Sequence, residues 1–175
     1  LDAILRAGDR AQQYLAALRS VGTVPAARQR TDSHAFVAAL ADTANALCRP
    51  AKLHFVLQEQ WQGQFLCAAP ELSRALENML DNAVRYTPAG GTVTLTISKA
   101  DGDVAFTVTD TGPGFTPEAL HKAGQFLYTD AARPGNGHQG LGLYLARSVA
   151  QAYGGKLVLA NTGTGAQVQL CLPMQ

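Results

Sequence analysis

The alternating run Val104-Ala105-Phe106-Thr107-Val108-Thr109 stops at an acid and two glycines, Asp110-Thr111-Gly112-Pro113-Gly114-Phe115. The alternation predicts a half-buried strand with Val104, Phe106 and Val108 on one face. A carboxylate at the end of such a strand must find donors or lose its charge, and the exocyclic amine of an adenine is a suitable donor. Gly-Pro-Gly turns the backbone sharply, and the missing side chains let a ligand lie directly on the main chain. Taken alone, these six residues also fit a plain strand-end turn, because short glycine motifs recur by chance.

A helix is predicted from Glu71 to about Tyr86, opened by Pro70, with acids near its positive end. At 3.6 residues per turn Leu72, Leu76, Met79, Leu80 and Ala83 form one apolar face, and Asn78, Asn82 and Arg85 stack along a different stripe. Two amides and a cation on one stripe suit a magnesium triphosphate, which needs a hard oxygen ligand for the ion and positive charge for the phosphates. A solvated polar face is the plainer alternative. Asparagine, however, is a mediocre helix former and contributes little in mid-helix unless its amide is used.

Val93, Leu95 and Ile97 alternate with threonines. They form a strand that turns at Ala100-Asp101-Gly102 into the Val104–Thr109 strand, and this antiparallel pair delivers Asp110. A short helix is predicted from Pro117-Glu118. Residues 124–139 show no periodicity, and so long a loop inside a compact domain is functional or mobile. It ends in Gly137-His138-Gln139-Gly140-Leu141-Gly142-Leu143, which passes straight into a helical run from Tyr144 to Ala152. Glycines opening a helix make an anion site, where unbonded N–H groups converge and the helix dipole favours negative charge. Leu157-Val158-Leu159 and Val168–Leu172 predict a last hairpin across residues 161–165, closed by Pro173.

An anionic ligand must here be held by local geometry, since 14 Lys+Arg against 13 Asp+Glu leave a net charge of +1. That balance argues against a general nucleic-acid or membrane-surface binder. At 175 residues the chain can bury one real core. No apolar run approaches the roughly 20 residues of a membrane span. Cys48, Cys67 and Cys171 are widely spaced in apolar contexts and read as buried thiols rather than metal ligands.

The amino-terminal part reads as an appendage. Leu1, Ile4, Gly8, Ala11, Leu15 and Leu18 make a narrow helical seam suited to a partner helix, and Gly22 to Arg30 reads as a linker. The chain begins at Leu1 in mid-helix pattern, as a piece of something longer would. A second helix is predicted from Asp32 or Ser33 to Cys48, with Phe36, Val37, Leu40, Ala44 and Leu47 on its apolar face. His34, with no acid beside it, reads as a solvated helix-start residue. Leu53–Leu57 and Gln64–Cys67, with Trp61 between them, suggest a hairpin.

Three separated stretches resemble one family. Glu77-Asn78-Met79-Leu80-Asp81-Asn82-Ala83-Val84-Arg85-Tyr86-Thr87-Pro88 resembles the asparagine box of sensor histidine kinases. Asp110–Phe115 resembles their first glycine box and Gly137–Leu143 their second, in matching order and spacing. The similarity covers about residues 31–173 and extends to the ATPase group that includes gyrase, Hsp90 and MutL-type proteins. It implies an α+β fold: a two-layer sandwich of helices on a mixed, mainly antiparallel five-stranded sheet, with ATP between the helical layer and a mobile lid. The implied division is the end of a dimerisation helix hairpin at 1–22, a linker at 23–30 and an ATP-binding catalytic domain at 31–175.

The resemblance also implies roles for individual residues. Asn82 would bind magnesium and Asn78 lie near the phosphates, while Arg85 stands where the family has a phosphate-contacting cation. Tyr86 would pack on the adenine and Asp110 accept its amine, with Gly112 and Gly114 leaving the base room. Gly140, Leu141, Gly142 and Leu143 would present the phosphate-binding turn. Asn78 stands where the water-activating ATPases of the group carry an acid, which favours phosphoryl transfer to a protein.

The lid departs from the family pattern. Phe126 is recognisable, Ala123 and Tyr128 fill places usually held by other residues, and Arg133 supplies a charge. His138 and Gln139 stand where smaller residues are commoner. A phospho-accepting histidine motif is absent, so the expectation is a catalytic fragment that uses ATP and magnesium. Its partners would be its own dimerisation and phosphoacceptor domain in a homodimer, and a response regulator, with no nucleic acid. The implied location is cytoplasmic, as part of a membrane-bound sensor. A hydrolytic ATPase or serine kinase of the same group, and a non-catalytic nucleotide-binding module, remain open on the sequence.

Overall fold

The computed structural model describes residues 27–122, 124–125 and 141–174. The seam of residues 1–18 and residues 23–26 of the linker lie outside them. So do Ala123, Phe126, Tyr128, Arg133, His138, Gln139 and Gly140.

Strand β1 (Gln29–Asp32) leads into helix α1 (Ser33–Cys48). It therefore begins inside the stretch read as linker. Asp32 caps α1 by accepting from the Ala35 N–H at 2.9 Å, so one of the unpaired amides of the first turn is satisfied. Strands β2 (His54–Glu59) and β3 (Gln64–Cys67) follow, then helix α2 (Ala69–Tyr86) with Pro70 in its first turn. Strands β4 (Thr92–Ala100) and β5 (Asp103–Asp110) come next, and a short helix, α3 (Pro117–Lys122), succeeds them. The chain closes with helix α4 (Gly142–Ala152) and strands β6 (Lys156–Asn161) and β7 (Ala166–Pro173).

The main sheet has the order β2-β4-β5-β7-β6, with β2 and β4 parallel and every other pair antiparallel. Period-two alternation sends Val93, Leu95, Ile97, Phe106, Val108, Val168 and Leu170 into the core. Thr94, Thr96, Thr109, Gln167 and Gln169 take the opposite face. The core side is covered by α1, α2 and α4, with α2 packed against both of the others. Leu72, Leu76, Met79, Leu80 and Ala83 are buried, as the helical period requires. The result is the expected mixed five-stranded sheet under one layer of helices.

The hairpin expected from Leu53–Leu57 and Gln64–Cys67 does not form. β2 runs parallel to β4, with His54 opposite Thr92, and β3 pairs with β1 in a separate two-stranded sheet. The reason lies in partners distant in sequence. The Ser33 N–H donates to the Gly63 carbonyl and the Gly63 N–H to Ser33 Oγ, both at 2.9 Å, which ties the β2–β3 connection to the start of α1. Phe65 then packs into an aromatic trio with Phe36 and Phe106, ring centroids 5.7–5.9 Å apart. Such packing outweighs a local pairing that has no tight turn to support it. All three cysteines are buried free thiols, and burial pushes each above its ordinary pKa.

Candidate functional site

The site is assembled at one end of α2 and at the end of β5. Asp110 is the last residue of β5 and is 5% exposed. Its Oδ1 accepts the Gly112 N–H at 2.8 Å and the Ala166 N–H at 3.3 Å, so the buried carboxylate has the donors that burial demands. Thr111 carries the β4–β5 ladder one step further. Its N–H donates to the Thr92 carbonyl and its Oγ1 accepts from the Thr92 N–H.

Gly112 lies against the end of α2. A Cβ there would stand 2.6 Å from the Tyr86 carbonyl oxygen and 2.9 Å from Asp110 Oδ1. No side chain fits, and the close approach joins the first glycine box to the asparagine helix. Gly114 has φ +74°, a left-handed backbone suited to glycine.

On α2, Asn78 lies against the first residue of α4. A Cβ on Gly142 would come within 3.7–3.9 Å of the Asn78 side chain. The Asn78 Nδ2 is buried and has no hydrogen-bond partner among the described residues. An unpartnered buried donor is costly, and a bound acceptor would remove that cost. The start of α4 carries no side-chain cap from the described residues either. Leu141 is buried beside Leu145, and Leu143 packs on the main core, so apolar contacts fix the helix start.

Asn82 sits half-buried one turn beyond Asn78. Arg85 is tied along its own helix to Asp81, with Nη2 and Oδ2 3.1 Å apart. Tyr86, half-buried, is the last residue of α2. The structure thus brings Asn78 to Gly142 and Tyr86 to Gly112, and sets Asp110 in a cradle. Gly140 and Arg133 lie outside the described residues.

Three residues that hold the Asp110–Phe115 turn escape the sequence reading: Asn161, which bonds the Phe115 backbone, Gly165, which packs against the Asp110 carbonyl, and Ala166, which donates to the Asp110 carboxylate. Two of them contribute only backbone or absence of bulk, and all sit about 50 residues from Asp110, so no local pattern marks them.

Comparison with known proteins adds a match over residues 67–175 to the profile of the histidine kinase-, DNA gyrase B- and HSP90-like ATPases. The chain belongs to that family. This ATPase domain is 42% identical over 107 residues to the sensor histidine kinase SpaK of Bacillus subtilis, covering 59% of the chain and 23% of SpaK. It is 37% identical over 105 residues to the histidine protein kinase DivJ of Caulobacter vibrioides, covering 59% and 18%. The chain spans less than a quarter of either relative. Among solved structures, full-length ShkA in complex with AMPPNP superposes with a TM-score of 0.82 at 25% identity, covering 92% of this chain and 34% of ShkA. The mycobacterial sensor histidine kinase MprB gives 0.74 at 24% identity, covering 83% and 97%. The domain is therefore of the type found in sensor histidine kinases, as the three boxes imply, and its architecture is that of their catalytic domains.

Among the described residues no three His, Cys, Asp or Glu gather into a metal cage. A magnesium ion held by one amide oxygen and the phosphates of a nucleotide needs none. The half-buried Asn82 amide, one turn from the orphaned Asn78 donor, fits that mode. No described helix is long and apolar enough to cross a membrane.

Proposed function

We propose that this domain binds Mg-ATP and transfers its γ-phosphoryl group to a histidine on a dimerisation helix pair, from which a response regulator takes it. The observation that carries the reading is a pair of ends. A donor-lined carboxylate, Asp110, closes one end of the site, and at the other the buried amide nitrogen of Asn78, without a partner among the described residues, faces the start of α4.

Asp110 accepts the adenine amine, with Gly112 and Gly114 keeping side chains off the base and Tyr86 packing beside it. Asn78 donates to a phosphate oxygen, and the turn of Gly140, Leu141, Gly142 and Leu143 presents backbone N–H groups to the same phosphates. Magnesium, with Asn82 as its ligand from this chain, would neutralise charge on the phosphates. Arg85 leaves Asp81 to add a second positive charge. That exchange is easy, because a part-exposed pair one helical turn apart contributes only about 0.3–0.5 kcal/mol. Arg133 adds to the cationic side. Catalysis on this reading is positioning and charge stabilisation, the usual burden of phosphoryl transfer. The whole protein acts as a homodimer in the cytoplasmic part of a membrane-bound sensor.

Calorimetric titration with ADP and ATP, with and without magnesium and beside GTP, tests the site. Adenine-selective binding that tightens with magnesium is expected, and Asp110→Asn should weaken adenine nucleotides far more than GTP. Equal losses for both bases would refute the role of Asp110. Adding a histidine-bearing dimerisation segment and labelled ATP tests the transfer. Good binding without label on the histidine would leave a nucleotide-binding module.

A further inference from the structure

The turn that follows Asp110 is held from outside by the last hairpin. Asn161, at the end of β6, accepts the Phe115 N–H on Oδ1 at 2.6 Å and donates from Nδ2 to the Phe115 carbonyl at 2.9 Å. One amide thus matches both polar groups of one residue's backbone, as a neighbouring strand would. The same side chain fills the space beside Gly114, where a Cβ would stand 2.8 Å from Oδ1. Asn161 pairs across the hairpin with Ala166, whose N–H holds the Asp110 carboxylate. The two ends of the Asp110–Phe115 turn are therefore pinned from a single register position.

The anchor itself is stiff. Across the hairpin tip the Thr162 N–H donates to the Gly165 carbonyl at 2.8 Å, and Thr162 Oγ1 accepts the N–H groups of Gly165 at 3.0 Å and Thr164 at 3.3 Å. Asn161 is exposed and lies outside the hydrophobic core, so it has little part in burial. Its two bonds act on the placement of a loop.

We propose that Asn161 is a positioning residue for adenine recognition: by clamping Phe115 it fixes the Gly112–Phe115 backbone and so holds Asp110 in place for the base. This rests on the nucleotide reading above. A group shifted by a fraction of an ångström loses much of a directional hydrogen bond.

The test is calorimetry with ADP on the wild type, Asn161→Ala, Asn161→Asp, and Asn161→Ala combined with Asp110→Asn. Asn161→Ala is expected to weaken ADP about tenfold, which corresponds to about 1.4 kcal/mol. Its melting temperature should stay within about 2 °C of the wild type, as for other surface changes. Asn161→Asp keeps the acceptor for Phe115 N–H and loses the donor, so its ADP affinity should fall between the two. In the Asp110→Asn background, Asn161→Ala should cost less than about twofold, because its effect passes through Asp110.

A wild type that is folded and does not bind ADP removes the nucleotide reading, and this inference with it. A wild type that binds, with Asn161→Ala binding equally well, overturns the positioning role alone. Equal fractional losses in both backgrounds also overturn it. If Asn161→Ala does not fold, Asn161→Asp decides: wild-type affinity, or loss of fold in that variant too, counts against the proposal, and intermediate affinity supports it.

Discussion

Gly165→Ala should damage both the fold and the nucleotide site, whereas Gly163→Ala, two residues away in the same turn, should do neither. A Cβ on Gly165 would overlap the Asp110 carbonyl oxygen and stand 2.8 Å from the Asp110 carbonyl carbon and 2.9 Å from the Gly112 nitrogen. Every one of these is a backbone atom, so no flexible side chain can move aside. Relieving the 2.8 Å approach to the 3.4 Å of ordinary contact takes about 0.6 Å of main-chain movement, and the overlap with the oxygen takes more. Overpacking of this kind costs about 1–3 kcal/mol. In a chain of 175 residues that lowers the melting temperature by roughly 2–12 °C. The atoms displaced carry Asp110 itself, so ADP affinity should fall along with stability. A Cβ on Gly163 meets nothing within 4 Å, and that variant should melt within about 2 °C of the wild type or slightly above it. Thermal melts and ADP calorimetry on the pair decide the matter. Two variants with the same melting point and the same ADP affinity would refute the packing argument.

Other parts of the fold make their own predictions. Met79 is fully buried at the centre of α2, and Met79→Ala should cost about 2–5 kcal/mol in urea unfolding at unchanged slope; a loss below about 1 kcal/mol would mean the core collapses around the gap. His34 sits 2.9 Å from Glu59, and the hydrogen bond to that carboxylate, then its charge, raises the imidazole pKa above 6.5. The folded state therefore binds the proton more tightly than the unfolded one. The resulting stabilisation is fully present below about pH 6.5, where an unfolded histidine is still charged, and is lost as pH rises through the folded value. An NMR titration of the imidazole should show the raised value, and Glu59→Gln should lower it; no change on Glu59→Gln would disprove the cause.

The sequence carries β4, β5 and β7 in plain alternation, β6 in a short apolar run, and α1 and α2 in apolar period and first-turn chemistry. These signals are local, and the local preference agrees with the final packing. It fails where partners are remote. Gln29–Asp32 has no strand composition, yet it pairs with β3, because the Ser33–Gly63 bonds and the Phe65 packing place β3 beside it. His34 looks solitary in the sequence because its acid lies 25 residues on. The site divides in the same way. Asp110, Gly112, Asn78 and Asn82 stand out because acids at strand ends and amides in mid-helix are locally odd choices. Asn161, Gly165 and Ala166 are ordinary hairpin-turn residues, and their importance comes only from what the folded sheet sets beside them.

That dependence reaches into how the domain is made. The β4–β5 and β6–β7 ribbons are each local and can form early, but they meet through β5–β7 pairing, in which Asp103 opposes Pro173 and Thr109 opposes Gln167. Asp110 lies on one ribbon, and the Ala166 N–H that holds its carboxylate lies on the other, 56 residues away. A chain with either ribbon alone has the acid or its Ala166 donor, never both. Nucleotide on this reading has no purchase on half-folded molecules, and it draws the folding equilibrium toward the closed sheet by mass action, by about 2.7 kcal/mol at one hundred times its dissociation constant.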